Sequence, residues 1–166
     1  MKKMMKNRKG FTLMEMLIVV AIIAILVIIA IPTFNSALAK ARAATDVANI
    51  RSGYAAAQVA AMTDGYDSTA NSTKNTYYLL KDGSVSNDPN AANKYTTQGT
   101  SKGAAANTEI GGRFSVDNTA TTGGAAATDG KLSWDKGATV TYTVGEVGDD
   151  GVPTVTTITT ANAAKN

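Results

Sequence analysis

An uninterrupted run of apolar residues near the N-terminus dominates the hydropathy pattern of the chain. Between Phe11 and Ile31 only Thr12 and Glu15 are polar, and every residue from Met16 to Ile31 is apolar. A helix of this length is about 31 Å long, which matches the thickness of the bilayer hydrocarbon. The pattern therefore predicts a membrane-spanning helix over residues 11–31.

Beyond Pro32 the pattern remains helical but becomes amphipathic. Apolar or small residues recur at spacings of three and four, in particular at Val47, Ile50, Tyr54, Ala57 and Ala61. The sequence Thr63-Asp64-Gly65 is expected to end the helix, because glycine readily adopts the left-handed conformation that closes a helix. These signals predict a single helix of about fifty residues, which is far longer than a typical globular helix.

The composition changes abruptly at residue 64. Residues 64–166 contain 13 of the 15 glycines and 19 threonines but few large apolar residues, so they can form only a thin core by themselves. We therefore expect this part to pack on the exposed face of the long helix, on Val47, Ile50, Tyr54 and Met62.

Strand patterns appear late in the chain. Over residues 138–147, Val140, Tyr142 and Val144 alternate with threonines, which is typical of a sheet with one solvent-facing side. A turn at 148–151 and a returning strand at 152–160 complete a predicted hairpin. The other segments are less regular: strands at 112–117 and 131–135, a strand or helical turn at 77–81, and exposed loops at 84–106 and 119–128.

The charges separate along the chain. Five of the 16 Lys and Arg residues lie within residues 1–9, and the formal charge of +3 becomes −2 without that segment, so the basic character does not indicate a nucleic-acid-binding surface. Basic residues before the apolar run, with no comparable block after it, place the N-terminus in the cytoplasm. The chain has no Cys and no His, which removes thiol nucleophiles, imidazole bases and disulfides and argues against enzymatic chemistry.

Glu15 is the exceptional residue of the apolar segment. An acid in hydrocarbon costs about 2.5–3.5 kcal/mol and normally has a partner, yet no Lys or Arg follows before Lys40. Two explanations remain open. Glu15 reaches the membrane interface near the end of the span, or it pairs with a positive group created by cleavage between Gly10 and Phe11, which would make Phe11 an α-amine.

Three interpretations of the N-terminal segment compete. A secretory signal peptide would be cut near Ala39-Lys40-Ala41, but the apolar run is long and Pro32 separates it from that site. A simple single-span anchor has the right length and orientation. Neither explains an acid inside the run, whereas a leader cut after Gly10 does.

The sequence Lys9-Gly10-Phe11-Thr12-Leu13-Met14-Glu15, followed by about twenty apolar residues and Pro32, resembles the N-terminus of type IV pilins and of the wider class III signal-peptide (prepilin-like) family. That family includes the pseudopilins of type II secretion. The resemblance implies cleavage after Gly10 by a membrane prepilin peptidase and N-methylation of Phe11. It also implies that Phe11, Glu15 and Pro32 serve assembly, with Glu15 neutralising the Phe11 amine of the adjacent subunit.

The implied fold is α+β, the pilin lollipop: a long N-terminal helix, membrane-spanning in its first half, packed on a small head with a four-stranded antiparallel sheet. The expected organisation is a leader peptide at 1–10, an extended helix at 11–63 with 11–31 as the transmembrane and assembly core, and a β-rich head at 64–166.

The resemblance implies a structural subunit, stored in the cytoplasmic (inner) membrane with its head outside and then polymerised into an extracellular type IV pilus. The implied partners are further copies of the chain, the prepilin peptidase, the lipid bilayer, and a membrane assembly platform with its ATPase motor. No enzymatic activity, cofactor, metal or direct nucleic-acid contact is expected. The alternatives are a pseudopilin of a type II-like secretion or DNA-uptake machine, and a membrane-anchored adhesin that never polymerises.

Other candidate sites have simpler explanations. Asp64, Asp67, Asp149 and Asp150 lack the spacing of a calcium loop, and Asp with Gly favours a turn. Asn71-Ser72-Thr73 satisfies the N-glycosylation sequon, but short loops rich in Asn, Ser and Thr match this sequon by chance. We expect packing roles for three aromatic residues that would otherwise suggest adhesion: Tyr77, Tyr78 and Trp134.

Overall fold

The computed structural model of the chain describes residues 10–64, 67, 73–119, 126–128, 130–145 and 152–162. The expectations for the leader up to residue 9, the sequon at 71–72 and the turn at 148–151 lie outside these residues. The chain divides into two compact units, Met1–Ala37 and Leu38–Asn166, which are described in turn.

Helix α1, Leu13–Asp64, is 52 residues long and confirms the prediction of a single extended helix. In the first unit it continues through Pro32, whose missing N–H removes one intrahelical hydrogen bond. The Thr33 hydroxyl donates to the carbonyl of Ala30 at 2.9 Å, so this polar side chain is satisfied by its own helix. The helix is long and apolar enough to cross a membrane, and its most apolar stretch has no buried residue within the described chain.

In the second unit, residues 38–64 of α1 present one buried face to the sheet. Its members recur at helical spacing: Ala43, Asp46, Val47, Ile50, Gly53, Ala57 and Ala61. The expected contributions of Val47 and Ile50 are confirmed. Met62 is 59% exposed, so its expected place in the core is wrong: it follows the buried Ala61 and points about 100° away from it. Tyr54 is half-buried and meets Phe114 edge to face, with ring centroids 6.0 Å apart.

The sheet of the second unit is antiparallel, which confirms the α+β fold class. Seven strands are described: β1 Thr76–Leu79, β2 Val85–Ser86, β3 Ser115–Val116, β4 Ala126–Ala127, β5 Lys131–Leu132, β6 Ala138–Gly145 and β7 Thr154–Asn162. Five of them form the main sheet in the order β2-β1-β6-β7-β4. The described sheet therefore has five strands and not the four that the resemblance implied: β1, β6 and β7 form its centre, and the two-residue strands β2 and β4 extend its two edges.

The hairpin β6–β7 is confirmed, with Thr139 facing Ala161 and Tyr142 facing Ile158 across the ladder. Along β6 buried and half-buried residues alternate. The apolar side chains therefore face the helix, while the threonines form the outer surface.

Two predicted loops contain structure. Residues 84–106 include β2 and a short 3₁₀ helix, Ser101–Gly103, and bury Tyr95, Thr97 and Ala104, so the expectation of an exposed loop is wrong there. The loop expected at 119–128 contains β4, which pairs with β7. Strands β3 and β5 are shorter than predicted and pair with each other in parallel. Backbone pairing with distant strands, and not local pattern, determines these short elements.

The core lies between α1 and the inner face of the sheet, where the largest buried side chains include Trp134, Tyr142 and Phe114. The Tyr142 hydroxyl donates to the Ile50 carbonyl at 2.7 Å. A Cβ atom added at Gly53 would lie 2.4 Å from that hydroxyl oxygen, so glycine is needed for the close approach of helix and sheet.

A buried carboxylate joins the helix to the loop that follows β2. Asp46 is 0% exposed, and its Oδ1 accepts hydrogen bonds from the Tyr95 hydroxyl at 2.6 Å and the Gln98 N–H at 2.7 Å. Its Oδ2 accepts from the Gly99 N–H at 2.8 Å and the Trp134 indole N–H at 3.2 Å. Four donors compensate for the desolvation of this charge, so Asp46 anchors the loop to the helix.

Candidate processing and assembly site

The bond expected to be cut lies just before the helix. Gly10 and Phe11 precede the first helical residue, Leu13. Phe11 is 80% exposed, and a Cβ atom added at Gly10 would have no neighbour within 4 Å. The Gly10–Phe11 peptide bond is thus outside the helical hydrogen-bond ladder and exposed within the described chain.

Thr12 and Glu15 form a capping box at the start of α1. The Glu15 Oε2 accepts hydrogen bonds from the Thr12 backbone N–H at 2.7 Å and from the Thr12 hydroxyl at 2.8 Å. In return the Glu15 N–H donates to the Thr12 hydroxyl oxygen at 3.3 Å, and the Met16 N–H donates to the Thr12 carbonyl at 3.3 Å. This reciprocal arrangement satisfies backbone groups that a helix N-terminus otherwise leaves without partners.

The capping box gives Glu15 a partner within its own chain. A carboxylate in the first turn also interacts favourably with the helix dipole. Sequence reasoning overlooked Thr12, although the spacing Thr-x-x-Glu before an apolar run is itself the signature of a capping box. An acid at this position is therefore explained in part by helix initiation.

Pro32 lies apart from the other expected assembly residues. It follows Glu15 by 17 positions in the same helix, a separation of about 25 Å at 1.5 Å per residue. The structure brings Gly10, Phe11 and Glu15 together at the helix start and leaves Pro32 at the far end of the apolar run.

The remaining candidate residues have structural roles where they are described. Trp134 and Tyr77 are buried in the core, and the Tyr78 ring lies 4.3 Å beneath the Lys94 ammonium. The Tyr77 hydroxyl donates to Asp64 at 3.2 Å; burial first, and the nearby Asp64 charge second, raise the pKa of Tyr77. No group of three acidic residues suited to a metal occurs among the described residues, and Asp149 and Asp150 lie outside them.

Residues 5–31 match the family model of the prokaryotic N-terminal methylation motif. This motif is the class III signal peptide of type IV pilin-like proteins, and the match includes Gly10, Phe11 and Glu15. No solved structure matches the chain. The motif and the α+β fold together support a type IV pilin- or pseudopilin-like protein. The apolar helix and the motif fit a membrane-anchored precursor.

Proposed function

We propose that the chain is the structural subunit of a type IV pilus. In this proposal a prepilin peptidase cuts after Gly10 and Phe11 is N-methylated. The subunit waits in the cytoplasmic membrane with residues 38–166 outside, and an assembly platform with its ATPase motor adds it to an extracellular filament. The observation that carries the proposal is the methylation motif at residues 5–31. Gly10 and Phe11 of this motif precede the helix, while Glu15 lies within its first turn.

The exposed apolar helix supports storage in lipid followed by polymerisation. Side chains such as Leu17, Ile25 and Ile29 are more than half exposed within the described chain. Leaving such surface in water is unfavourable by roughly 25 cal/mol for each Å², so the helix requires either lipid or other apolar helices around it. A filament with these helices at its centre provides the second environment and exchanges lipid for protein contacts.

The geometry of Glu15 supports a role in joining subunits. Both side-chain hydrogen bonds with Thr12 use Oε2, and Oε1 has no hydrogen-bond partner among the described residues. Cleavage would convert the Phe11 peptide nitrogen into an ammonium group. The Oε1 atom of one subunit can accept from the ammonium of its neighbour while Oε2 maintains the capping box, which would join subunits through a desolvated charge pair.

Two substitutions of Glu15 separate charge pairing from helix capping. Glu15→Gln retains a capping-box acceptor but removes the charge, whereas Glu15→Ala removes both. We expect both variants to be inserted and cleaved normally and to lose surface filaments, because an unpaired ammonium buried in a helix bundle costs about 3–5 kcal/mol.

The assay is electron microscopy of sheared surface material, with immunoblotting of membrane fractions to verify insertion and leader removal. Abundant filaments from cells carrying Glu15→Gln would contradict the charge-pair argument. Wild-type cells that lack long filaments of this subunit but depend on it for protein secretion or DNA uptake would favour the pseudopilin alternative.

A further inference from the structure

The second unit contains a groove between helix α1 and the segment 102–118. It has a volume of about 710 Å³. Small and apolar side chains form much of its lining, with Ala44, Val47 and Ala48 on the helix and Ala104 and Ala105 opposite. The groove is therefore wide enough for more than water molecules and suits a partly apolar ligand.

Positive charge is concentrated in the same groove. Lys40, Arg51 and Lys102 line it, and no Asp or Glu does so among the described residues. The Arg51 guanidinium donates to the backbone carbonyl of Glu109, a neutral acceptor, and neither lysine forms an ion pair with any described residue. The chain beyond residue 10 has a formal charge of −2, so this cluster does not follow from its overall composition.

Close backbone packing keeps these cations together. A Cβ atom added at Gly103 would lie 2.7 Å from the Ala39 carbonyl oxygen, and one added at Gly99 would lie 2.8 Å from the Ala43 nitrogen. The segment that carries Lys102 is thus fixed directly against the helix turn that carries Lys40. Like charges held in one groove repel each other, and an anion bound there would relieve that repulsion.

We propose that this groove binds the headgroup of an anionic phospholipid. The lysine ammonium groups suit the phosphate, and the alanine-lined floor suits the glycerol backbone and the first carbons of the acyl chains. Lys40 follows Ile31, the last residue of the apolar run, by nine positions. Nine residues of helix α1 rise about 14 Å, so Lys40 lies close along the chain to the headgroups at the end of the apolar run in the precursor.

A nucleic acid fits this groove less well. Single strands bind to grooves in which bases stack on aromatic side chains, and no aromatic residue lines this groove in the described part of the chain. The lipid inference rests on the proposed storage in the membrane. It adds a specific role for the head: bound lipid would hold the second unit at the membrane surface until assembly.

The test uses the full chain in a neutral detergent, titrated with short-chain phosphatidylglycerol or phosphatidylcholine, with bound lipids counted by native mass spectrometry. The test variant is Lys40→Gln/Lys102→Gln. The matched control is Lys131→Gln/Lys136→Gln, which removes the same charge from two exposed lysines outside the groove. We expect preferential binding of phosphatidylglycerol, weakened about fivefold for each groove lysine removed and unchanged in the control.

Equal weakening in both double variants, or equal binding of the two lipids, would overturn the inference. A wild-type dimer that excludes lipid and dissociates only in the groove variant would also overturn it and identify a second copy as the occupant. Recovery of the chain in the soluble fraction of cells would instead refute the proposed membrane storage, so the two failures are distinguishable.

Discussion

Replacement of Asp46 by asparagine should severely destabilise the second unit. The carboxylate is fully buried and accepts four hydrogen bonds, two on each oxygen. Asparagine retains one acceptor oxygen and presents its NH₂ group to the other two donors, so two buried donors lose their partner. Each such donor costs about 1–3 kcal/mol, and we expect a total loss of about 3 kcal/mol, a large part of a typical stability of about 5–15 kcal/mol.

The measurement is urea unfolding of the full chain in a non-denaturing detergent. Trp134 fluorescence is a suitable probe because its indole is buried and donates to Asp46. The matched control is Asp88→Asn, at an exposed position where Oδ1 accepts from the Asn90 N–H at 2.8 Å; it should change the free energy of unfolding by less than about 0.5 kcal/mol. An Asp46→Asn variant as stable as this control would refute the anchoring role.

Three further predictions test other parts of the structure. Gly53→Ala, which would stabilise an exposed helix by about 1 kcal/mol, should instead destabilise the chain by about 1–3 kcal/mol through overlap with Tyr142; a raised urea midpoint would contradict this. Burial first, and the hydrogen bond to the Asp46 carboxylate second, raise the pKa of Tyr95 from 10.0 to about 12. The contribution of Tyr95 to the stability of the fold is therefore complete below pH 10 and is lost as the pH rises through about 12. Tyrosinate absorbance and circular dichroism should change together in that range, and a tyrosine that titrates near pH 10 in an intact fold would exclude this coupling. Thr12→Val should speed amide exchange in the first helical turn by about fivefold, equivalent to about 1 kcal/mol of capping energy, while Thr12→Ser should not; equal exchange in both variants would show that the capping box contributes nothing.

Local pattern was sufficient to predict the longest elements. The apolar run and the stripe that includes Val47 and Ile50 predicted α1, and the alternation of Val140 and Tyr142 with threonines predicted β6 and its hairpin partner. In these segments burial repeats with the period of a single element, so the sequence records it directly. The N-terminal motif was also recognisable from local sequence, because its residues are contiguous.

Contacts between distant residues could not be predicted in this way. Asp46 resembles any polar residue of an amphipathic helix until the loop containing Tyr95 and Gly99, about fifty positions later, supplies its donors. The two-residue strands β2 and β4 have no periodicity of their own and exist because a neighbouring strand offers backbone partners. Met62 shows the opposite error, since hydrophobicity alone does not determine which helix face the sheet covers.

The most direct test of the account is intact mass spectrometry of the subunit from purified surface filaments. We expect a chain that begins at Phe11, lacks residues 1–10 and carries one added methyl group on its N-terminal nitrogen, with fragmentation placing that methyl group on Phe11. A subunit that begins at Met1, or one cut near Ala41 as a secretory signal peptide would be, would contradict the central claim that this chain is processed and assembled as a pilin.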